Sequence, residues 1–313
     1  MIHIKRYNAE LKRVWDDFIE TSKNGYFLFC RDYMDYHSDR YHDYSLLFYN
    51  EDNKLLAVMP ANIKDDHVHS HGGLTYGGII SDTSMKAAIM IELFENLLRF
   101  LNEEKIKKLL YKAIPYIYHK FPSDEDLYAI FVNNGKLIRR DASSAIFLFN
   151  KIKVSQLRLR GIKKARMNNL MVKVSNDFAS FFEIVQQVLW NKYKLKPVHT
   201  HREMELLSNK FPQNIKLFAA FDGDKMLAGV LVFETEVVAH CQYMVNSADG
   251  KGLGALDMVI DHLINEYSDK KRYFSFGVST ENNGAFLNEG LINQKETFGA
   301  RTIVHDFYEL VIS

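Results

Sequence analysis

Asp249-Gly250-Lys251-Gly252-Leu253-Gly254-Ala255 places glycines at alternate positions between a β-prone run and a helical one. Backbone N–H groups in such a turn can converge on one anion, and the start of the following helix adds partial positive charge. The guest that suits it is a phosphate or pyrophosphate; the competing reading is a plain helix start. His240 lies on the strand-like run just upstream, and an unperturbed imidazole suits proton transfer near neutral pH, although a lone strand histidine is equally a structural residue. Glu281, in Ser279-Thr280-Glu281-Asn282-Asn283-Gly284, is the alternative base, in a loop whose Asn-Asn-Gly also reads as turn chemistry. Trp190-Asn191-Lys192-Tyr193 and His199-Thr200-His201-Arg202 form a second polar cluster, in which Thr200 with Glu203 fits a helix capping box. His67, His69 and His71 alternate as strand residues do, but without a carboxylate partner they make weak metal ligands, and no metal is expected. Tyr33, Tyr36, Tyr41 and Tyr44 with Arg31 and Arg40 read either as a sugar-stacking surface or as aromatic core.

These residues need elements to hold them. Lys216–Phe221 and Met226–Phe233 flank Asp222-Gly223-Asp224-Lys225, which predicts a hairpin. A strand over Val237–Val245, the glycine stretch, a helix over Ala255–Tyr267 and a strand over Arg272–Val278 follow. The same order appears earlier. Tyr44–Tyr49 and Leu55–Pro60 flank Asn50–Lys54; a strand at Leu74–Tyr76, a helix over Ser84–Asn102 and a strand at Lys108–Lys112 come after. That self-similarity argues for two similar domains. The first copy lacks a Gly-x-Gly turn at its helix start, so the phosphate site is expected in the second copy alone. Ser144–Asn150 reads as the closing strand of the first copy, which sets the boundary at residues 1–150 and 151–313. The connector after it is basic: Lys151, Lys153, Arg158, Arg160, Lys163, Lys164 and Arg166 make either a solvated helix face or a phosphate-binding strip.

With 313 residues, 47% hydrophobic, the chain can fill two cores. A net charge of +1 gives no global field toward nucleic acid or an anionic surface. Two distant cysteines, Cys30 and Cys241, make no disulfide framework. No apolar stretch near 20 residues long and no signal-like start is visible, so the expectation is a cytoplasmic protein without membrane insertion.

The order hairpin, strand, glycine loop, helix, strand resembles the core of GNAT acyltransferases. Gly252 and Gly254 match their Gln/Arg-x-x-Gly-x-Gly/Ala loop, with Asp249 at the Gln/Arg position. Leu287–Ala300 is similar to the Gly-Leu-x-x-Phe-Lys-x-x-Phe-Gly-Ala signature of the Fem-like branch of that superfamily, with Gln294 in place of the Phe before Lys295. Trp15-Asp16-Asp17-Phe18-Ile19 followed by Asn24-Gly25 extends the resemblance into the first half. It implies an α/β fold of two tandem GNAT-like domains with mixed, mostly antiparallel sheets flanked by helices. It implies an N- or O-acyltransferase, with acetyl-CoA or another acyl-CoA as co-substrate and an amino sugar or cell-envelope or polysaccharide precursor, free or nucleotide- or lipid-linked, as acceptor. The alternatives are an aminoacyl-tRNA-dependent transferase of the peptidoglycan-precursor type and a non-catalytic ligand-binding relative. Among family roles, the acyl arm would run along Gln242, Tyr243, Met244 and Val245. Tyr243 would join His240 and Glu281 in catalysis. Gly250, Lys251, Gly252, Leu253, Gly254 and Ala255 would hold the donor's phosphates, and Lys192, Tyr193, His199, Arg202 and Lys295 would contact the acceptor.

Overall fold

A computed structural model describes residues 2–312, apart from the side chain of Tyr193. The chain divides into two compact units. Unit 1 takes the chain up to Ala142, then Thr280–Phe286 and everything from Val304; unit 2 takes Ser143–Ser279 and Leu287–Ile303. The expected boundary was at Asn150. The first crossing comes at Ala142/Ser143, and the last strand of the chain returns to unit 1.

Unit 1 begins with β1 (His3–Arg6), α1 (Lys12–Thr21), α2 (Arg31–Met34) and β2 (His42–Asp43), then β3 (Leu46–Tyr49) and β4 (Leu55–Met59), paired as the expected hairpin. A small hairpin, β5 (Asn62–Lys64) and β6 (His67–His69), comes next. The strand expected at Leu74–Tyr76 is instead irregular, and the extended segment is β7 (Ile80–Ser81), after Gly77 and Gly78. Gly78 has φ +94, and a Cβ there would lie 2.6 Å from the Tyr111 hydroxyl; the backbone must turn there before a strand can form. Helix α3 (Ala87–Glu103), β8 (Lys108–Lys112), α4 (Glu125–Val132) and β9 (Lys136–Phe147) complete the run. Two sheets result, one ordered β1-β3-β4-β7 and one containing β8-β6-β5-β2. Leu93, Phe94, Leu97 and Leu101 of α3 fall at helical spacing and are fully buried with Leu46, Phe48 and Leu109. The four tyrosines and two arginines of the early segment are divided: Tyr36 and Tyr41 are half-buried and Arg40 is exposed. Tyr33 and Tyr44 are buried, and buried Arg31 pairs with Asp35 and Asp43.

Unit 2 holds α5 (Gln156–Met167), β10 (Met171–Ser175), α6 (Phe178–Tyr193), α7 (His201–Lys210), β11 (Ile215–Asp222), β12 (Lys225–Glu234), β13 (Val238–Asn246), α8 (Ala248–Leu253), α9 (Ala255–Glu266) and β14 (Tyr273–Val278). After the short β15 (Thr280–Glu281) and β16 (Phe286–Leu287) come α10 (Glu289–Glu296) and β17 (Arg301–Val311), whose final residues pair with β8 in unit 1. The unit 2 strands run β10-β11-β12-β13-β14, then the end of β9. The β11–β12 hairpin turns at Gly223, φ +57, as its Asp-Gly sequence demands. Strand β12 is buried from Met226 to Glu234, which matches its unbroken apolar run: both faces are covered. Helix α9 seals one face with Leu256, Val259, Ile260, Leu263 and Ile264. The capping box predicted at Thr200 and Glu203 is present at the start of α7. Among the described residues no helix is long and apolar enough to cross a membrane.

Candidate active site in the second unit

The site is built where two neighbouring strands part. Strands β13 and β14 pair in parallel at three positions only: Val238 with Tyr273, Ala239 with Phe274, and His240 with Ser275. Each strand is then deflected by an irregularity against its other neighbour. On β13, Leu231 faces Tyr243 and Val232 faces Cys241, which leaves Gln242 as an extra residue. On β14, Ser275 faces Ala145 and Gly277 faces Ser144, so Phe276 is extra, and Gly277 takes φ +73. An extra residue bends a strand and increases its twist. Among the described residues the β14-facing edge of β13 therefore has no strand partner from Cys241 to Asn246, and a row of backbone donors and acceptors is left for an extended ligand.

The bulge also sorts side chains. In a regular strand His240 and Tyr243, three apart, would face opposite ways. With Gln242 inserted, Ala239, Cys241 and Met244 all pack toward α9. His240 stands beside Ser275, with Nδ1 3.2 Å from the Ser275 hydroxyl, and Tyr243 turns to α6 and the loop after it. The His240 ring covers Gly277, where a Cβ would lie 3.4 Å from its Cε1. The Tyr243 ring meets Phe182 of α6 edge-on at 5.5 Å, and its hydroxyl lies 2.8 Å from His199 Nδ1. Burial pushes that phenol up to about 12, so it is protonated at neutral pH.

Lys295 is at the mouth of β14. It is buried, and its ammonium donates to the carbonyls of Gly277 (2.7 Å) and Val278 (2.8 Å) and to the Ser279 hydroxyl (2.7 Å). Burial pulls it down to about 8. Backbone carbonyls and a hydroxyl thus hold the ammonium, and Lys295 braces the end of β14 where it parts from β13.

The glycine stretch is not an open turn. Residues Ala248–Leu253 form α8, capped by Ser247, whose hydroxyl accepts from the Gly250 N–H at 3.0 Å while its carbonyl accepts from the Lys251 N–H at 3.0 Å. Gly254, φ +75, ends α8 and begins α9, and Ala255 behind it is fully buried. A Cβ at Gly250 would lie 2.6 Å from the Leu227 carbonyl, and one at Gly254 2.3 Å from the Gly161 carbonyl; both glycines are required by close packing. At Gly252 a Cβ would meet nothing within 4 Å. Lys251 and Gly252 are exposed, Leu253 is half-buried, and Asp249 forms a 2.7 Å ion pair with Lys225.

A cavity of about 360 Å³ lies beside Tyr243's partners, between α6 and the loop that precedes α7. His199 and Phe182 line it, with Glu183, Lys196 and His201. Of the other expected acceptor contacts, Lys192 and Arg202 are exposed on the same segment, and the side chain of Tyr193 lies outside the described residues. Val245 is buried on β13. Glu281 is exposed on β15 and belongs to unit 1. In the basic connector, Arg158 pairs with Asp257 at 3.0 Å and Arg166 with Asp261 at 2.9 Å, which makes these two cations braces between α5 and α9. His71 leaves the alternation of β6 with φ +61, and among the described residues no group of histidine, cysteine and carboxylate side chains is placed to hold a metal. Sequence reasoning missed Ser275 and the two bulges; the only signal for them is the glycine at position 277.

No protein-family model and no curated protein matches the sequence. Solved structures do. FemX covers 99% of this chain and 97% of its own, at TM-score 0.68 and 9% identity. A tandem GNAT protein from the clavulanic acid biosynthesis pathway covers 100% of this chain and 99% of its own, at TM-score 0.51 and 8% identity. The C-terminal domain of a putative lysylphosphatidylglycerol synthetase from Agrobacterium fabrum covers 86% of this chain and 84% of its own, at TM-score 0.56 and 11% identity. At such identities the likeness is one of fold. The strand order of unit 2, its parted β13 and β14, and the FemX match across nearly the whole chain together show a tandem GNAT fold of the Fem-like kind.

Proposed function

We propose that the protein is an acyltransferase that moves an acyl group from an activated donor to an amine or hydroxyl by direct attack. The observation that carries this reading is the parting of β13 and β14 after His240 and Ser275, which leaves an unpaired strand edge beside a histidine and a protonated tyrosine. An extended acyl carrier can add to that edge by backbone hydrogen bonding, with its carbonyl near the bulge at Gln242. The nucleophile's oxygen or nitrogen bonds to the acyl carbon, and its proton passes to His240. Backbone N–H groups at the bulge stabilise the charge on the carbonyl oxygen. The bond to the leaving sulfur or oxygen breaks as the Tyr243 hydroxyl supplies a proton. His199, hydrogen-bonded to Tyr243, can restore it.

Acyl-CoA is the donor proposed first, and an amino sugar or envelope precursor the acceptor. The donor's phosphates would meet exposed Lys251 and the start of α9. Within α8 the Gly250 and Lys251 amides already bond to Ser247, which favours as a second reading an aminoacyl ester donor that makes no use of a pyrophosphate cradle. Calorimetric titration with acetyl-CoA and CoA separates the two, beside a Gly252→Glu variant that adds a carboxylate where a side chain meets no steric obstacle. Saturable binding weakened at least ten-fold in the variant supports acyl-CoA. Absence of binding to both ligands overturns it.

A further inference from the structure

Between Glu183 and Glu203 the chain has no acidic residue, yet Lys192, Lys194, Lys196 and Arg202 bring four positive charges and His199 and His201 two titratable rings. The fold gathers them. The segment leaves α6 at Lys194, whose left-handed backbone (φ +56) reverses the chain and lays the following loop back along the helix. Lys196, His199 and His201 thereby line the cavity of about 360 Å³, against Phe182 and Glu183. Among the described residues the side chains of Lys196, His201 and Arg202 make no hydrogen bond or ion pair. Glu183, the one carboxylate in the wall, accepts a hydrogen bond from Gln187 at 3.3 Å.

His199 adds an imidazole to this wall, its Nδ1 2.8 Å from the Tyr243 hydroxyl. The cavity thus presents the Lys196 ammonium and two imidazoles, with Lys192, Lys194 and Arg202 exposed on the same segment. A neutral ligand would leave these charges uncompensated, whereas an anion turns them into charge-assisted hydrogen bonds.

We infer that the acceptor is anionic, a sugar phosphate or sugar acid of about monosaccharide size, and that Lys196 holds its charged group with help from His201 and Arg202. The inference rests on the acyl-transfer reading for the ligand's role as acceptor. The charged group seats in the loop and the sugar body lies against Phe182, with one hydroxyl or amine directed toward His199 and Tyr243.

The test is calorimetric titration of the full chain with glucosamine 6-phosphate, glucuronate and glucosamine, each in 50 and 300 mM NaCl as stated assay conditions. At least one anionic sugar is expected to bind ten-fold or more tightly than glucosamine, with affinity that falls several-fold at the higher salt. Whichever anion binds better names phosphate or carboxylate as the source of the charge. Lys196→Glu and Arg202→Glu, both at exposed positions, should abolish that preference while the circular dichroism spectrum is unchanged. Equal binding of glucosamine, binding of neither anion, or an unaltered Lys196→Glu variant overturns the inference. A parallel acetyl-CoA titration keeps the two readings apart: anion binding without acetyl-CoA binding counts against the donor alone, and the converse against this inference alone.

Discussion

Asp126 and Lys295 show what single residues gain from burial. Asp126 is enclosed in unit 1, where the Tyr111 hydroxyl donates to it and itself accepts from the Ile79 N–H at 2.7 Å. Burial pushes its carboxyl up to about 7. An acid raised in the folded state keeps a proton that the unfolded chain releases, so stability falls as pH rises from about 4, the unfolded value, through about 7, and the loss is complete above that. Asp126→Asn keeps one oxygen for Tyr111 and cannot ionise. Urea titrations from pH 4 to 8 should show a wild-type decline of the order of a few kcal/mol that the variant lacks; parallel curves would contradict it. Lys295 stood out in the sequence through the signature around it, but its partners did not, because backbone carbonyls leave no mark in a sequence. The pairing of His240 and Tyr243 on one face was equally hidden. Strict alternation separates them, and the bulge that unites them depends on neighbouring strands.

At the scale of elements, amphipathic helices and the Asp-Gly hairpin were readable, since period and turn chemistry are local properties. The glycine stretch was read as a phosphate-binding turn or a plain helix start, and it folds as α8. The reason is again contact: Gly250 sits against β12 and Gly254 against α5, so two of the three glycines answer packing demands that look, in sequence, like phosphate binding. The three positions should therefore respond differently to alanine. Gly254→Ala, strained at φ +75 and 2.3 Å from a carbonyl, and Gly250→Ala, 2.6 Å from another, should each cost about 2 kcal/mol or more. Gly252→Ala, in open space on a helix, should be neutral or stabilise by up to about 1 kcal/mol. Equal effects at all three in urea denaturation would refute the packing account. The missed strand at Ile80–Ser81 has the same kind of origin: Asn24, far upstream, accepts from the Ser81 N–H and donates to the Ile79 carbonyl, so a distant segment completes the strand's edge.

Across the whole molecule, the repeat of hairpin, strand, helix and strand revealed two copies, and the structure has two units of that kind. Strand exchange was beyond reach of sequence: the residues from Val304 read as the end of the second copy, yet Phe307–Val311 pairs with β8 of the first. Unit 2 combines the parted strands with the histidine and tyrosine. In unit 1 the corresponding strand, β7, is two residues long, and Tyr111 fills the space beside it. The central claim is thus that the donor lies along β13 from Cys241 to Asn246. Hydrogen exchange of the full chain, with and without saturating acetyl-CoA, tests this most directly. Slower exchange of the amides between Cys241 and Asn246, with peptides of unit 1 unchanged, is the predicted result. Bound acetyl-CoA that leaves those amides unaltered would contradict it.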